Sequence, residues 1–458
     1  MLNNNTICAI ATAPGGAIGI IRVSGPDAIK ITDKIFKPVG DQPKLCGRKP
    51  YTLAYGSIMD GRETVDEVLV SVFHAPHSYT GEDSVEISCH GSTYILQQVT
   101  HLLIKNGCHS AEPGEFTRRA FMNGKMDLSQ AEAVADLIGA SNRATHHMAI
   151  SQLKGHFSSE LGMLREQLLR LTSLLELELD FSDHEELEFA DRSELKELAL
   201  RIKDKITNLA HSFELGITLK QGIPVAIVGK TNVGKSTLLN RLLHEDKAIV
   251  SSVHGTTRDC IEDTTVIDGV TFRFIDTAGI RKTDDEVENI GIERTYKKIA
   301  EARIVLWVVD ELPTEDAIKN IEKLSEDKKI IVVKNKIDIY GNEFSLCSLS
   351  MLKWPVVSIS AKDGQNVQSL LDSIKDAANI PNISEESVIV TSARHYDSLT
   401  RSLESINRVI DSINIGLSGD MIAEDLRITL DDLAEITGGH ISSQATLNNI
   451  FKNFCIGK

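Results

Sequence analysis

The segment Gly229-Lys-Thr-Asn-Val-Gly-Lys-Ser236 sets glycines at both ends of a short loop and closes on a lysine and a hydroxyl. Glycines let backbone N–H groups approach a phosphate closely, and a following helix start adds further donors. In that pattern Lys235 reaches β and γ phosphates and Ser236 offers an oxygen to Mg²⁺, with Asn232, Val233, Gly234 and Thr237 completing the cradle. Downstream, Asp276-Thr-Ala-Gly279, Asn335-Lys-Ile-Asp338 and Ser360-Ala-Lys362 each follow an apolar run. Polar groups at the carboxyl ends of parallel strands face one crevice. The Asp338 carboxylate is an acceptor pair suited to the N1–H and exocyclic amine of guanine. Asn335 and Lys336 stand beside it, Ser360, Ala361 and Lys362 close over the base, and Asp276, Thr277, Ala278 and Gly279 join the same nucleotide site.

These residues need strands and helices to hold them. From Gln221 to about Asn379 apolar runs alternate with helical patterns: Val225-Ala-Ile-Val, Phe272-Arg-Phe-Ile, Ile304-Val-Leu-Trp-Val-Val, Ile330-Ile-Val-Val and Pro355-Val-Val-Ser-Ile. Fully apolar strands separated by helices predict a mostly parallel sheet covered on both faces. Upstream, Leu153, Phe157, Leu161, Leu164, Leu168, Leu171 and Leu175 recur in steps of three and four, tracing one face of a long helix. A second such stripe runs from Leu195 to Phe213, and others follow Pro381, at Leu399 to Ile413 and Ile422 to Leu433. Before about residue 118, short β-rich runs such as Ile18-Gly-Ile-Ile-Arg-Val and Glu67-Val-Leu-Val-Ser-Val-Phe are punctuated by Gly and Pro, with a helix over Tyr94 to Lys105. The expected organisation is a mixed α/β N-terminal domain (1–118), a discontinuous helical domain (119–215 and 380–458), and an α/β domain (216–379) inserted into it.

Composition narrows the possible functions. The 458 residues are 41% hydrophobic, 25% charged and only 5% aromatic, and the net charge is −16. An acidic chain disfavours nonspecific duplex binding, and few aromatics disfavour a stacking platform for single strands. Contact with RNA through a local patch stays open. Seven scattered cysteines without a C-x-x-C pair read as reduced thiols in a cytoplasmic protein. The longest strongly apolar run, Ile304 to Val309, is far short of a membrane span.

The four motifs in order resemble the G domain of the translation-factor-like GTPases, a Ras-like P-loop fold. In Ras-like proteins a Gln directly follows the DTAG-like motif to orient the attacking water, whereas this chain has Ile280. The segment Ser251-Ser-Val-His-Gly-Thr-Thr-Arg-Asp259 carries the Gly255-Thr-Thr-Arg-Asp259 signature of the MnmE (TrmE) family. The likeness continues through Asp276 to Arg294, Thr80-Gly-Glu-Asp83, Arg119 to Leu128 and Phe454-Cys-Ile-Gly-Lys458. This resemblance implies a K⁺-activated GTPase that forms a homodimer through its N-terminal domain and whose G domains close across the nucleotides. Ser251, Ser252, Val253, His254, Gly255, Thr256 and Thr257 would join the GTP site. By matching positions, K⁺ would take the side-chain oxygen of Asn232 and carbonyls of Ser251, Val253 and Thr256, and Thr257 would join Ser236 at Mg²⁺. The family points to Glu288 as the group acting on the attacking water, although Asp285, Glu286 and Glu293 are near enough that spacing alone does not choose.

For the N-terminal domain the resemblance implies a 5-formyl-tetrahydrofolate-type one-carbon donor, at Arg22, Glu82, Lys125 and Lys458. A carboxylate suits the N–H donors of a pterin, and cations suit a folate tail. Cys455 would lie near that pocket and could take part in the chemistry. The implied activity, shared with an MnmG-like flavoprotein that brings FAD and completes a heterotetramer, is to form 5-carboxymethylaminomethyl (or aminomethyl) uridine at the wobble position of certain tRNAs. Two other readings compete. A ribosome-assembly GTPase related to Era or EngA is opposed by the single G domain and the terminal Cys-Ile-Gly-Lys. A folate-binding scaffold with a vestigial GTPase is opposed by intact Lys235, Ser236, Asp276 and Asp338.

Overall fold

The computed structural model describes residues 5–180, 192–244, 263–275, 299–325, 327–340 and 352–439, together with 447, 450–452, 454 and 457. Two compact units divide the chain: Met1–Gly139, Ala149–Thr207 and Asp397–Lys458 form one, and Ala140–Met148 with Asn208–Tyr396 form the other.

The first unit begins with strands β1 (Ile7–Ile10) and β2 (Ile18–Ser24), helix α1 (Ala28–Ile35), and strands β3 (Phe36–Pro38), β4 (Thr52–Asp60), β5 (Glu63–Phe73) and β6 (Ser84–His90). Helix α2 (Thr93–Lys105) and strand β7 (His109–Ser110) follow. The seven strands pair in the order β3-β4-β5-β6-β2-β1-β7, antiparallel except for β1 with β7. Alternation sends Ile21, Val23, Val70, Val72, Val85 and Ile87 into a core with Leu96, Val99 and Leu103 of α2 and Ile31 and Ile35 of α1. The opposite face leaves Leu53 64%, Tyr55 46% and Leu69 46% exposed, and Tyr55 pairs directly with Leu69 across the strands.

Helices α3 (Glu115–Met122), α4 (Leu128–Gly139), α5 (Arg143–Leu153), α6 (His156–Asp180) and α7 (Arg192–Gln221) come next. The leucine stripe predicted for α6 is buried from Leu161 to Leu175, and α6 packs along α13 (Gly419–Thr437), whose Ile422, Leu426, Leu433 and Ile436 are also buried. Leu128 and Ala131 of α4 enclose Leu447 and Phe451.

The second unit is a six-stranded sheet in the order β13-β12-β11-β8-β10-β9. Its members are β8 (Ile223–Val228), β9 (Asp263–Ile267), β10 (Val270–Phe274), β11 (Ile304–Val309), β12 (Lys329–Lys334) and β13 (Val356–Ser358). All pairings are parallel except β9 with β10, an antiparallel edge hairpin that the apolar-run pattern does not predict. Helices α8 (Lys235–His244), α9 (Glu315–Leu324), α10 (Ile337–Tyr340) and α11 (Val367–Ala378) belong to this unit, and α12 (Ala393–Asn414) leads out of it. The Thr314 hydroxyl caps α9 by accepting from the Ala317 N–H at 3.4 Å. Apolar layers lie on both faces, with Val225, Ile227, Leu306 and Ile331 on one and Ala226, Val228, Val305 and Val332 on the other. Ala144 and Met148 pack with Leu219, Val270, Ile380 and Ile389, which is why the start of α5 belongs with this sheet. The expected fold class, a mixed α/β N-terminal part with helices and a P-loop α/β domain, is the one observed. Among the described residues no helix is long and apolar enough to cross a membrane.

Candidate functional site

The phosphate loop leaves the carboxyl end of β8 and enters α8 at Lys235. A helix start leaves its first N–H groups without intrahelical acceptors, so this loop is built to offer donors. Asn232 sits at φ 63°, a left-handed conformation that its short polar side chain tolerates, and it is exposed. Gly234 has φ 95°, and a Cβ there would stand 2.3 Å from the Asn335 amide nitrogen, so only glycine fits. Asn335, buried at the end of β12, donates from Nδ2 to the Val233 carbonyl at 2.8 Å and accepts at Oδ1 from the Ala361 N–H at 2.9 Å. One side chain thus ties the phosphate loop to the loop after β13. Lys235 Nζ donates to the Gly229 carbonyl at 2.8 Å and to that of Lys230, holding its charge over the loop.

The other base-side residues gather at the same strand ends. Lys336, at φ 66°, pairs through Nζ with Asp310 Oδ2 at 2.8 Å, and Asp338 is exposed on the short helix α10. Ser360 accepts at Oγ from the Asp363 N–H at 3.1 Å, which folds the Ser360-Ala361-Lys362 loop on itself. Ser236 and Thr237 lie in the exposed first turn of α8. The hydroxyl of Ser236 and the amide oxygen of Asn232 are hard donors on the loop's open side, which fits Mg²⁺ and a larger monovalent cation in ligand type. Ser251, Ser252, Val253, His254, Gly255, Thr256, Thr257, Asp276, Thr277, Ala278, Gly279 and Glu288 lie outside the described residues.

A second constellation lies in the N-terminal sheet. Arg22 of β2 stands directly opposite Glu86 of β6, and its Nε and Nη2 donate to Glu86 Oε1 at 2.9 and 2.7 Å. Its Nη1 donates to the Gly457 carbonyl at 3.3 Å, and its guanidinium lies 5.4 Å from the Tyr79 ring centre and 5.8 Å from that of Phe116. Gly457 is at φ 91°, and a Cβ there would meet the Ile10 carbonyl at 2.5 Å. Glu82 accepts from Ser24 Oγ at 2.8 Å and from Arg119 Nη1 at 3.1 and 3.2 Å. Arg119, 3% exposed, donates in turn to Glu115 Oε1 through Nη2 at 2.8 Å. Lys125 is exposed; its Nζ donates to the Pro76 carbonyl at 3.1 Å, and its side chain flanks Gly81. Burial pushes the Tyr79 hydroxyl up, with Thr117 and Arg22 partly opposing, so it stays neutral.

Arg22, Glu82 and Lys125 therefore share one neighbourhood, whereas Lys458 and Cys455 lie outside the described residues. The carboxylate of Glu82 keeps acceptor capacity on Oε1 beyond its present bonds, which suits a ligand N–H donor. Sequence reasoning missed Glu86, Arg119 and Glu115 as members of this cluster. Glu86 was within reach, because it alternates with Val85 and Ile87 on a strand whose other face is core. Arg119 and Glu115 carried the i, i+4 spacing of a helical ion pair, but nothing local pointed them at Glu82.

A P-loop at the end of a central parallel strand, an Asn-Lys-x-Asp segment and a Ser-Ala-Lys loop beside it define a guanine-nucleotide-binding protein. The description "GTP-binding protein TrmE N-terminus" matches residues 6–125, and "MnmE helical domain" matches residues 128–455. The tRNA modification GTPase MnmE of Phocaeicola vulgatus is 53% identical over 503 residues, covering 100% of both chains. The proteins of that name from Bacteroides thetaiotaomicron, 55% identical over 100% of both chains, and Porphyromonas gingivalis, 48% identical over 100% of this chain and 98% of its own, agree. The G domain of the T. maritima FeoB iron transporter aligns at 26% identity over 34% of this chain and 98% of its own, at a TM-score of 0.26. This chain belongs to the MnmE family of tRNA modification GTPases.

Proposed function

We propose that this protein hydrolyses GTP and couples that hydrolysis to tRNA modification, as the names of its relatives state for them. The observation that carries the nucleotide half is the Asn335 side chain, which bridges the phosphate loop at Val233 and the base loop at Ala361. GTP would sit along that bridge, its phosphates at Asn232 to Thr237 and its base between Asp338 and Ser360-Ala361-Lys362. Mg²⁺ would be held by Ser236 and Thr257. K⁺ would be held by Asn232 with the carbonyls of Ser251, Val253 and Thr256, and would supply positive charge to the transition state where other GTPases use an arginine. Glu288 would act on the attacking water.

In the N-terminal unit, Arg22, Glu82, Lys125 and Lys458 would hold a 5-formyl-tetrahydrofolate-type donor, with Cys455 nearby. A run of carboxylates and guanidinium groups from β2 and β6 to α3 supports a ligand with both N–H donors and anionic groups. The exposed Leu53, Tyr55 and Leu69 form an apolar patch on the sheet face away from the core, the face that also carries Arg22 and Glu86, of the kind a second copy covers in a homodimer. An MnmG-like flavoprotein would bring FAD and complete a heterotetramer in the cytoplasm. The product would be 5-carboxymethylaminomethyl (or aminomethyl) uridine at the tRNA wobble position.

Steady-state GTP hydrolysis in KCl and NaCl at equal ionic strength, with light scattering for assembly, tests this reading, because equal salt removes generic screening. K⁺-selective stimulation with dimer compaction is expected. Equal slow rates in both salts would remove the cation site, and unmodified wobble uridine in a deletion strain separates this role from ribosome assembly.

A further inference from the structure

We infer that Arg241 is a positioning residue for the guanine base, through the loop that closes over it. Arg241 lies on α8, the helix whose first turn carries Lys235 and Ser236. Its Nε donates to the Ala361 carbonyl at 3.3 Å and its Nη2 to the Lys362 carbonyl at 2.5 Å. A planar guanidinium spans two successive carbonyls in a fixed geometry that a single ammonium does not reproduce. The loop is also closed on itself, by the Gly364 N–H on the Ser360 carbonyl at 2.9 Å and the Ser360 N–H on the Gln365 carbonyl at 3.1 Å. It is therefore a small preformed piece that still has to be located against the rest of the site.

Two side chains from different elements reach it. Asn335 Oδ1 takes the Ala361 N–H, and Arg241 takes the carbonyls of Ala361 and Lys362. The first attachment refers the loop to β12, the second to the phosphate-binding helix. Arg241 lies five positions after Ser236, and at about 1.5 Å rise each, α8 is a rigid spacer of about 7.5 Å between its phosphate end and its base-loop end. Without Arg241 the base loop keeps its Asn335 tether, its own turn, and the seat of Ile359 and Ala361 against the sheet, but loses its hydrogen bonds to the phosphate-binding helix. It then opens more often, and the base leaves sooner while the phosphate end is unchanged.

The test is release of a fluorescent GDP from the full-length protein, by chase with unlabelled GDP, alongside competition by tripolyphosphate as a probe of the phosphate end alone. Arg241→Ala should release GDP about tenfold faster, the scale of losing two modest hydrogen bonds, with tripolyphosphate affinity and the maximal hydrolysis rate within twofold of the unaltered protein. Arg241→Lys should fall between the two, and it serves alone if the alanine variant does not fold. Release within twofold of normal in both variants overturns the inference, as does an equal loss of tripolyphosphate affinity, which would make Arg241 a support of α8 as a whole. The inference rests on guanine-nucleotide binding by this domain. Failure of the unaltered protein to bind GDP would overturn that reading as well, and is distinct from normal binding with unchanged release in the variants.

Discussion

The nucleotide site and the N-terminal charge cluster are made of different material. The nucleotide site is largely backbone: carbonyls of Val233, Gly229 and Ala361, the N–H of Ala361, and a glycine whose missing Cβ leaves room for Asn335. The N-terminal cluster is almost wholly side chain, a row of carboxylates and guanidinium groups drawn from β2, β6, α3 and the loop between β5 and β6. A backbone site depends on what is absent at a few positions, so it resists charge changes and fails when bulk is added. A site of paired charges fails when one partner goes, because the other is left desolvated without compensation.

That contrast is open to attack at several points. The largest effect is expected at Gly234→Ala, where the new methyl group would meet Asn335 Nδ2 at 2.3 Å on a backbone at φ 95°. Backbone strain and a lost hydrogen bond together should weaken GDP binding by roughly 10²-fold or more, measured by calorimetry; near-normal affinity would show that the loop is not packed this tightly. Next comes Arg119→Met, which strands Glu82 and Glu115 beside an apolar side chain. A loss of about 3–5 kcal/mol in urea unfolding is expected, and a loss under about 1 kcal/mol would mean that water already shares this charge. The smallest effect sharpens the comparison along pH. Burial, with the Asp66 charge adding to it, pushes the Cys89 thiol up from 9.0 to about 11. The folded state keeps that proton where the unfolded state loses it, so stability should fall as pH rises from about 9 to about 11 and then level off. Cys89→Ala should remove up to about 3 kcal/mol of that pH-dependent loss relative to the unaltered protein; parallel pH profiles would show that Cys89 does not contribute.

The same contrast governs what could be read from the sequence. The phosphate loop was legible because its chemistry is local: eight residues specify a turn, a donor set and a helix start. Asn335 and Asp338 were legible as a motif, though not the reach of Asn335 back to Val233. The parallel strands announced themselves as apolar runs, while β9 did not, since Asp263-Thr-Thr-Val-Ile267 alternates and belongs to an edge. Its turn was there to be found: Asp268-Gly269, with φ 49° and 78°, is a hairpin signal. The N-terminal charge cluster was not legible from the residues alone. Arg22 and Glu86 are 64 residues apart and Glu82 and Arg119 are 37 apart, so each reads as an ordinary surface charge until the sheet brings it to its partner.

The hydrogen bond from Arg22 to the Gly457 carbonyl spans 435 residues of chain. At translation rates of about 5–20 residues per second, the second partner emerges roughly 20–90 s after the first. Throughout that interval the sheet can pair β2 with β6 and settle Arg22 on Glu86, but the seat against Ile10 that Gly457 fills stays open. The Arg22 cluster is thus completed late in the birth of the molecule, after the whole nucleotide domain has been made. A nascent chain can acquire its nucleotide-binding fold before the Arg22 cluster of its N-terminal sheet has all its partners.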